Sequence, residues 1–355
     1  MQTGITRLLG CDLPIIQAPM AGGGDTPELV AAVGNSGAFG FVGAAYLDAE
    51  QILATAQSVR TLTPRPFGIN LFAPTAPARD ANVEAIIERL TPYYAQLGLP
   101  PPPKPTAPSA NAFAEQAAAA FECGTSVLSF TFGLLPTGIV AAAKAHGMKL
   151  IGTATSVAEA IALEQSGVDA IVAQGSEAGG HRGTFLGDFA AAQVGTIALV
   201  PQVVDAVSVP VIASGGIMDG RGAAAAFVLG AGAVQLGTAF LTCAEAGVAE
   251  VYKDAILHAA ETDTRVTRAF SGRPARGIVN RFVTEIDKAG DTIAPFPTQN
   301  ALTRVLRSTA AVQGRAEFLS LWAGQGVRMA RRQTAAELVA RLRDETRVAI
   351  GRLPV

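Results

Sequence analysis

The stretch Gln174-Gly-Ser-Glu-Ala-Gly-Gly-His-Arg-Gly183 sets one imidazole, His181, among four glycines. Glycine lets backbone come close to a flat ligand, and an imidazole titrating near neutral pH is suited to taking a proton from carbon. Two more glycine-bearing segments, Ser214-Gly215-Gly216-Ile217 and Gln235-Leu236-Gly237-Thr238, offer N–H groups with no side chain in front of them. That is the chemistry of a phosphate cradle. Asn70 and Gln174 carry amides that both donate and accept, as the pyrimidine edge of a ring cofactor requires. Met20 offers a soft surface to a ring face, although a buried methionine is more often plain core. Each glycine run is also readable as a tight turn, and His181 as a surface histidine. Their position along the chain separates these readings.

Every one of these segments follows or ends a short apolar run. Eight such runs are legible as strands: Pro14–Pro19, Phe39–Ala44, Phe67–Phe72, Ser126–Phe132, Lys149–Thr153, Ala170–Gln174, Pro210–Ala213 and Ala233–Leu236. Runs such as IIQAP, AIVAQ and PVIAS show no alternation, as expected of strands covered on both faces. Ala-rich helical patterns separate them, at Pro27–Val33, Ala49–Val59, Pro136–His146, Val157–Gln165 and Gly220–Leu229. Eight βα units close most economically into a (β/α)8 TIM barrel, with an open doubly wound sheet as the alternative. In a barrel the active site lies at the C-terminal ends of the strands, where the residues above fall. The helix opening at Asp219-Gly220 is then expected to turn its N-terminus toward the phosphate.

The long connection Ala73–Gly124 holds an amphipathic stretch, Asn82–Leu97, and a Pro-rich segment, Pro100–Pro108, expected to run extended. Helices are expected at Val248–Ala260, Ala301–Ala311 and Ala335–Ile350. The predicted organisation is a barrel from residues 1–72 and 125–245, with 330–355 packing back on its wall. Residues 73–124 and 246–329 form a small helical cap over the mouth.

A net charge of -2 and the lack of any Lys/Arg run give no field for nucleic acid. Three scattered cysteines without a CxxC pair fit a reducing cytoplasm, not a disulfide framework. The apolar run Ala223–Leu241 is broken by Gln235 and Thr238, which reads as a buried helix–strand pair and not as a membrane span. His146, His181 and His258 are too scattered for a metal site. No GxSxG elbow occurs, and no cysteine adjoins a candidate base. Gly230-Ala-Gly232 precedes a strand instead of following one, so no dinucleotide fingerprint is present. A single terminal phosphate is the better fit.

With these residues in view, the chain resembles the nitronate monooxygenase family over nearly its whole length. The matching stretches are Gln17-Ala-Pro-Met20, Asn70, Gln174–Gly183, Ala213-Ser-Gly-Gly-Ile217, Gln235-Leu-Gly-Thr238, Ser271-Gly-Arg-Pro-Ala-Arg-Gly277 and Trp322-Ala-Gly-Gln-Gly326. The resemblance implies bound FMN on a barrel with a helical cap. Asn70 and Gln174 would contact the isoalloxazine, with Gly179 against the flavin and His181 catalytic beside its N5. Gly216 and the turn of Gln235, Leu236, Gly237 and Thr238 would hold the phosphate, and Met20, Gly180, Ser214 and Gly215 would complete the cofactor site. The implied reaction is oxidation of alkyl nitronates, such as propionate 3-nitronate, by O2 to carbonyl compounds and nitrite through a flavin semiquinone. A neutral nitroalkane would first lose its α-proton to His181.

Phe296, Asn300 and Arg304 stand where some members carry tyrosines and a lysine lining the substrate pocket, a departure that bears on substrate size and preference. Arg273 or Arg276 either attracts the anion or ties the cap to the barrel. Two rivals stay open: a flavin-dependent enoyl-ACP reductase fed by a nicotinamide, and a non-redox barrel that binds a phosphate ligand. No oligomeric state follows from the sequence.

Overall fold

In the computed structural model, which describes residues 2–75, 81–105, 109, 111–288 and 293–352, the eight apolar runs form one wholly parallel sheet. Its strands are Ile15–Gln17, Gly40–Gly43, Phe67–Phe72, Val127–Thr131, Lys149–Ala154, Ala170–Gln174, Val211–Ser214 and Ala233–Leu236. Each pairs with its neighbours in chain order, and the eighth returns to the first through Ile15↔Val234, Ile16↔Gln235 and Gln17↔Leu236. First and second strands meet where Gln17 N–H donates to the Phe39 carbonyl (2.9 Å) and Phe39 N–H to that of Ile15 (3.0 Å). The sheet is therefore a (β/α)8 TIM barrel, not an open doubly wound sheet.

The missing alternation in the strands has a direct cause, because both faces are buried. Ile16, Phe39, Phe41, Val127, Ile151, Val172 and Ile212 fill the interior, and the helix Gly4–Leu9 plugs its lower end with Ile5 and Leu9. Val42, Ile69, Leu71, Leu128, Leu150 and Ile171 point outward against the ring of helices. Each such side chain removed from water contributes roughly 1.5–3 kcal/mol.

The ring includes two helices that the apolar patterning left unassigned, Ala112–Glu122 and Thr196–Ala206. The first packs on Ala49–Leu62 and so serves the third βα unit. The C-terminal helix Ala335–Gly351 lies across Gly220–Val228 and Pro27–Asn35. Ala223–Leu241 is a helix followed by a strand, and among the described residues no helix is long and apolar enough to cross a membrane.

A second apolar core lies over the barrel mouth. Helices Val83–Gln96, Glu250–His258, Arg281–Asp287 and Thr298–Val312 supply Leu90, Tyr94, Ile256, Phe282, Leu302 and Leu306, joined by Phe270 and Phe318. The Tyr94 hydroxyl donates to the Leu302 carbonyl (2.7 Å), fastening the early insertion to the late one. Residues 100–105 of the Pro-rich segment form no regular element, and 106–108 lie outside the described residues. A three-stranded antiparallel sheet completes the cap: Thr264–Thr267, Ala275–Ile278 and the two residues Gly180–His181.

Candidate active site

Between the strand ends and the cap lies a cavity of about 240 Å³. Met20, Asn70, Gln174, Gly179, Gly180 and His181 line it, as do Ser214, Gly215, Gly216, Gln235, Leu236, Gly237 and Thr238. The strand-end rule therefore brought together residues spread from position 20 to 238.

His181 belongs to both halves of the molecule. It follows the sixth barrel strand, and its backbone pairs with Ala275 of the cap strand. Phe72, Phe132, Phe296 and Trp322 surround its ring, with centroids 6.2, 5.8, 6.2 and 5.6 Å away. Burial, then the positive charges of Arg273 and Arg307, hold its pKa down at about 3, so the imidazole is neutral at physiological pH. Its Nε2 lies 2.8 Å from Ser271 Oγ. That hydroxyl already donates to the Arg273 carbonyl (3.0 Å) and accepts from the Arg273 amide (3.3 Å). Its one proton is thus spent, Nε2 must carry the hydrogen, and Nδ1 keeps the lone pair that can take a proton.

The neighbouring groups are fixed before any ligand arrives. Gln174 donates through Nε2 to the His181 carbonyl (3.0 Å) and accepts from Gly183 N–H (2.8 Å), which sets the loop's shape. Asn70 Nδ2 donates to Ser129 Oγ (2.8 Å). Beneath Met20, the buried Asp25 Oδ2 accepts from the amides of Met20 (2.8 Å) and Gly43 (2.6 Å), clasping the first strand's loop to the second strand. Burial pushes this carboxyl up to about 7.

At the other end of the cavity the backbone is shaped for an anion. Gly216 sits at φ 71°, in the left-handed region where a side chain is strained. No described residue accepts from the amides of Gly216 or Gly237. The short helix Thr238–Leu241 has no side-chain cap. These bare donors suit a terminal phosphate, while Gly179 is held to glycine by the chain itself, since an added Cβ would lie 2.6 Å from the Ala323 and Gly324 backbone. One expectation is corrected. The helix Gly220–Val228 does not offer its N-terminus to the anion, because Asp219 takes the amides of Arg221 and Gly222, and Glu345 takes that of Gly220. Glu345 arrives from a helix distant in sequence, so no local pattern announces it.

The three residues picked for the substrate side do not line the cavity. Phe296 packs behind it, 6.1 Å from Phe72 and from Phe132. Asn300 accepts from Arg307 (2.8 Å), and Arg304 is exposed. Arg307 is the arginine that reaches the cavity; about two helical turns from Asn300, it lies over that residue and donates to it. Arg273 and Arg276 bind carbonyls instead, those of Thr184 (2.7 Å) and Ser176 (3.1 Å), and tie the cap strand to barrel loops.

Sequence reasoning also missed Tyr46, Phe72, Phe132, Tyr252 and Trp322 as lining residues. Phe72 and Phe132 lie at the ends of the third and fourth strands, so the rule that marked Asn70 would have reached them. Phe132 is the one non-glycine residue with positive φ (83°) among the described residues, and Arg273 lies 3.8 Å over its ring. Such strain, about 1–3 kcal/mol, collects at functional sites. No group of His, Cys, Asp and Glu among the described residues could hold a metal. Cys11, Cys123 and Cys243 are free, with burial pushing the Cys243 thiol up to about 12.

The nitronate monooxygenase family profile matches residues 6–345. A protein of Staphylococcus aureus (strain Newman) named as a probable nitronate monooxygenase is 46% identical over 348 residues, 95% of each chain. The crystal structure of nitroalkane oxidase from Streptomyces ansochromogenes superposes with a TM-score of 0.92 at 40% identity, covering 99% of this chain and all of that one. FabK from Thermotoga maritima is more distant, with a TM-score of 0.79 at 30% identity over 99% of this chain and 98% of its own. Barrel and cap alike fall within these matches. The chain is an oxidoreductase that belongs to the nitronate monooxygenase family.

Proposed function

We propose that this protein uses FMN to oxidise small alkyl nitronates, propionate 3-nitronate among them, with O2, yielding a carbonyl compound and nitrite. The observation that carries the reading is one cavity joining a bare-amide anion cradle to a neutral, sterically fixed imidazole. FMN, when bound, supplies the electron acceptor for the nitronate and the route to O2.

The residues divide the remaining work. Gly216, Gly237 and Thr238 would hold the terminal phosphate, and Asn70 and Gln174 the pyrimidine edge, with Met20, Gly179, Gly180, Ser214, Gly215, Gln235 and Leu236 walling the ring. His181 holds its proton at Nε2 and presents Nδ1 as the base for the α-proton of a neutral nitroalkane. The four aromatic rings around it exclude water, and the same burial keeps the imidazole neutral with its lone pair free. Among the described residues no carboxylate lines the cavity to repel an anion. A cytoplasmic setting is part of this reading, on the three free thiols.

The experiment is isolation of the protein. It is expected to be yellow and to release FMN, not FAD, on denaturation, because the cradle suits one terminal phosphate. A colourless protein that cannot be reconstituted with FMN would end the reading.

A further inference from the structure

Among the described residues, Arg307 is the only one lining the cavity that carries a formal charge at neutral pH. It projects from the cap helix Thr298–Val312, within electrostatic reach of both Tyr46 and His181. Its Nε donates to the Thr303 carbonyl (3.3 Å) and its Nη2 to the carbonyl and Oδ1 of Asn300 (3.1 and 2.8 Å). These partners are neutral, and among the described residues neither a carboxylate nor any partner for Nη1 is present. Tyr46 packs edge-on to Phe72 at 5.6 Å, and its hydroxyl likewise has no partner among the described residues. Holding a half-buried guanidinium without a counter-charge carries a cost, so the arrangement suits an anion.

We infer that Arg307 and Tyr46 form the receptor for a second anionic group on the substrate, such as a carboxylate remote from the reacting carbon, and so select dianionic nitronates. This rests on the proposed nitronate chemistry. The reacting nitronate group itself is the poorer occupant. A fixed cation against it would stabilise the electron pair that the reaction must remove, whereas contact with a non-reacting group adds binding energy without that penalty. Three of the five guanidinium hydrogens are pinned to the helix, so the fork cannot follow the reacting atoms.

The test uses the FMN-loaded protein and two substrates, propionate 3-nitronate and propyl 1-nitronate. In R307M the ratio of their kcat/KM values is expected to fall on the order of 100-fold, mainly through KM, because a buried charge pair loses one partner. R307K should recover part of the ratio, and Tyr46→Phe should lower it on the order of tenfold. Equal losses on both substrates, an unchanged ratio, or loss of FMN from R307M would overturn the assignment.

A binding measurement on the wild-type protein is independent of variant folding. Trp322, the one tryptophan of the chain, lines the cavity, so its fluorescence reports occupancy. Succinate, an isostere of propionate 3-nitronate, should bind far more tightly than butyrate, which lacks the second charge. Butyrate binding as tightly as succinate would overturn the proposal. A protein that prefers succinate through Arg307 but oxidises no nitronate would keep the receptor and reject the proposed chemistry.

Discussion

An imidazole enclosed by four aromatic rings and faced by Arg273 and Arg307 gives up its proton far below neutral pH. Because the folded pKa, about 3, lies below the ordinary 6.5, the unfolded chain binds the proton more readily between those values. His181 therefore lowers stability as pH falls through that window and has no effect on it above. For the same reason kcat/KM on a preformed nitronate should be flat from about pH 5 to 8, with no limb from His181 near 6.5. A limb there, removed in His181→Asn, would show a solvated imidazole. His181→Asn should abolish turnover of neutral nitroalkanes while sparing preformed nitronates more, since those need no deprotonation. Equal losses would assign His181 to anion binding or flavin positioning. His181 was legible because glycines flank it at a strand end. Arg307 was not, because Arg304 and Arg307 stand three residues apart and only the helix's true phase, set by its start at Thr298, turns one of them inward.

Two devices connect elements around the site, and both are long-range. The cap strand Ala275–Ile278 pairs with Gly180–His181, fixing the imidazole from a segment some 90 residues on. A two-residue strand of glycine and histidine has no periodicity to read, so sequence showed the loop but not its partner. Asp25 holds the Met20 loop against the second strand. Its carboxyl, raised to about 7 in the folded chain, costs stability as pH rises from about 4 to 7, opposite in sign to His181. Asp25→Asn escapes that cost, so its melting temperature relative to wild type should climb with pH through the window. A difference that stays constant would show that Asp25 is ionised or solvated throughout. Gly179→Ala forces a methyl group onto the Ala323–Gly324 backbone. It should lose about 1–3 kcal/mol of stability by overpacking and release FMN more readily, checked by melting and by flavin content of the purified variant. Wild-type values for both would mean that the loop yields.

The barrel itself was legible down to its eight strands, because a strand buried on both faces must be a continuous apolar run and the linkers kept a helical pattern. Of the cap, the amphipathic stretch near Val83–Gln96 and the later helices near Glu250–His258 and Thr298–Val312 were legible, but not how they pack together. Its core draws on Val83–Gln96 and on segments after residue 240, and contacts between such distant stretches leave no local signal. What the assembled molecule offers is a chamber between barrel and cap, of mixed polar and apolar lining, with one cationic side chain among the described residues. Such a chamber has a place for a nitronate that brings its own electrons, and the account gives no role to a second nucleotide. Anaerobic mixing of the oxidised, FMN-loaded protein with propionate 3-nitronate, and separately with NADH and NADPH, tests this directly through flavin absorbance. The account predicts a rapid spectral change with the nitronate and negligible reduction by either nicotinamide. Rapid bleaching by a nicotinamide, with no response to the nitronate, would contradict it.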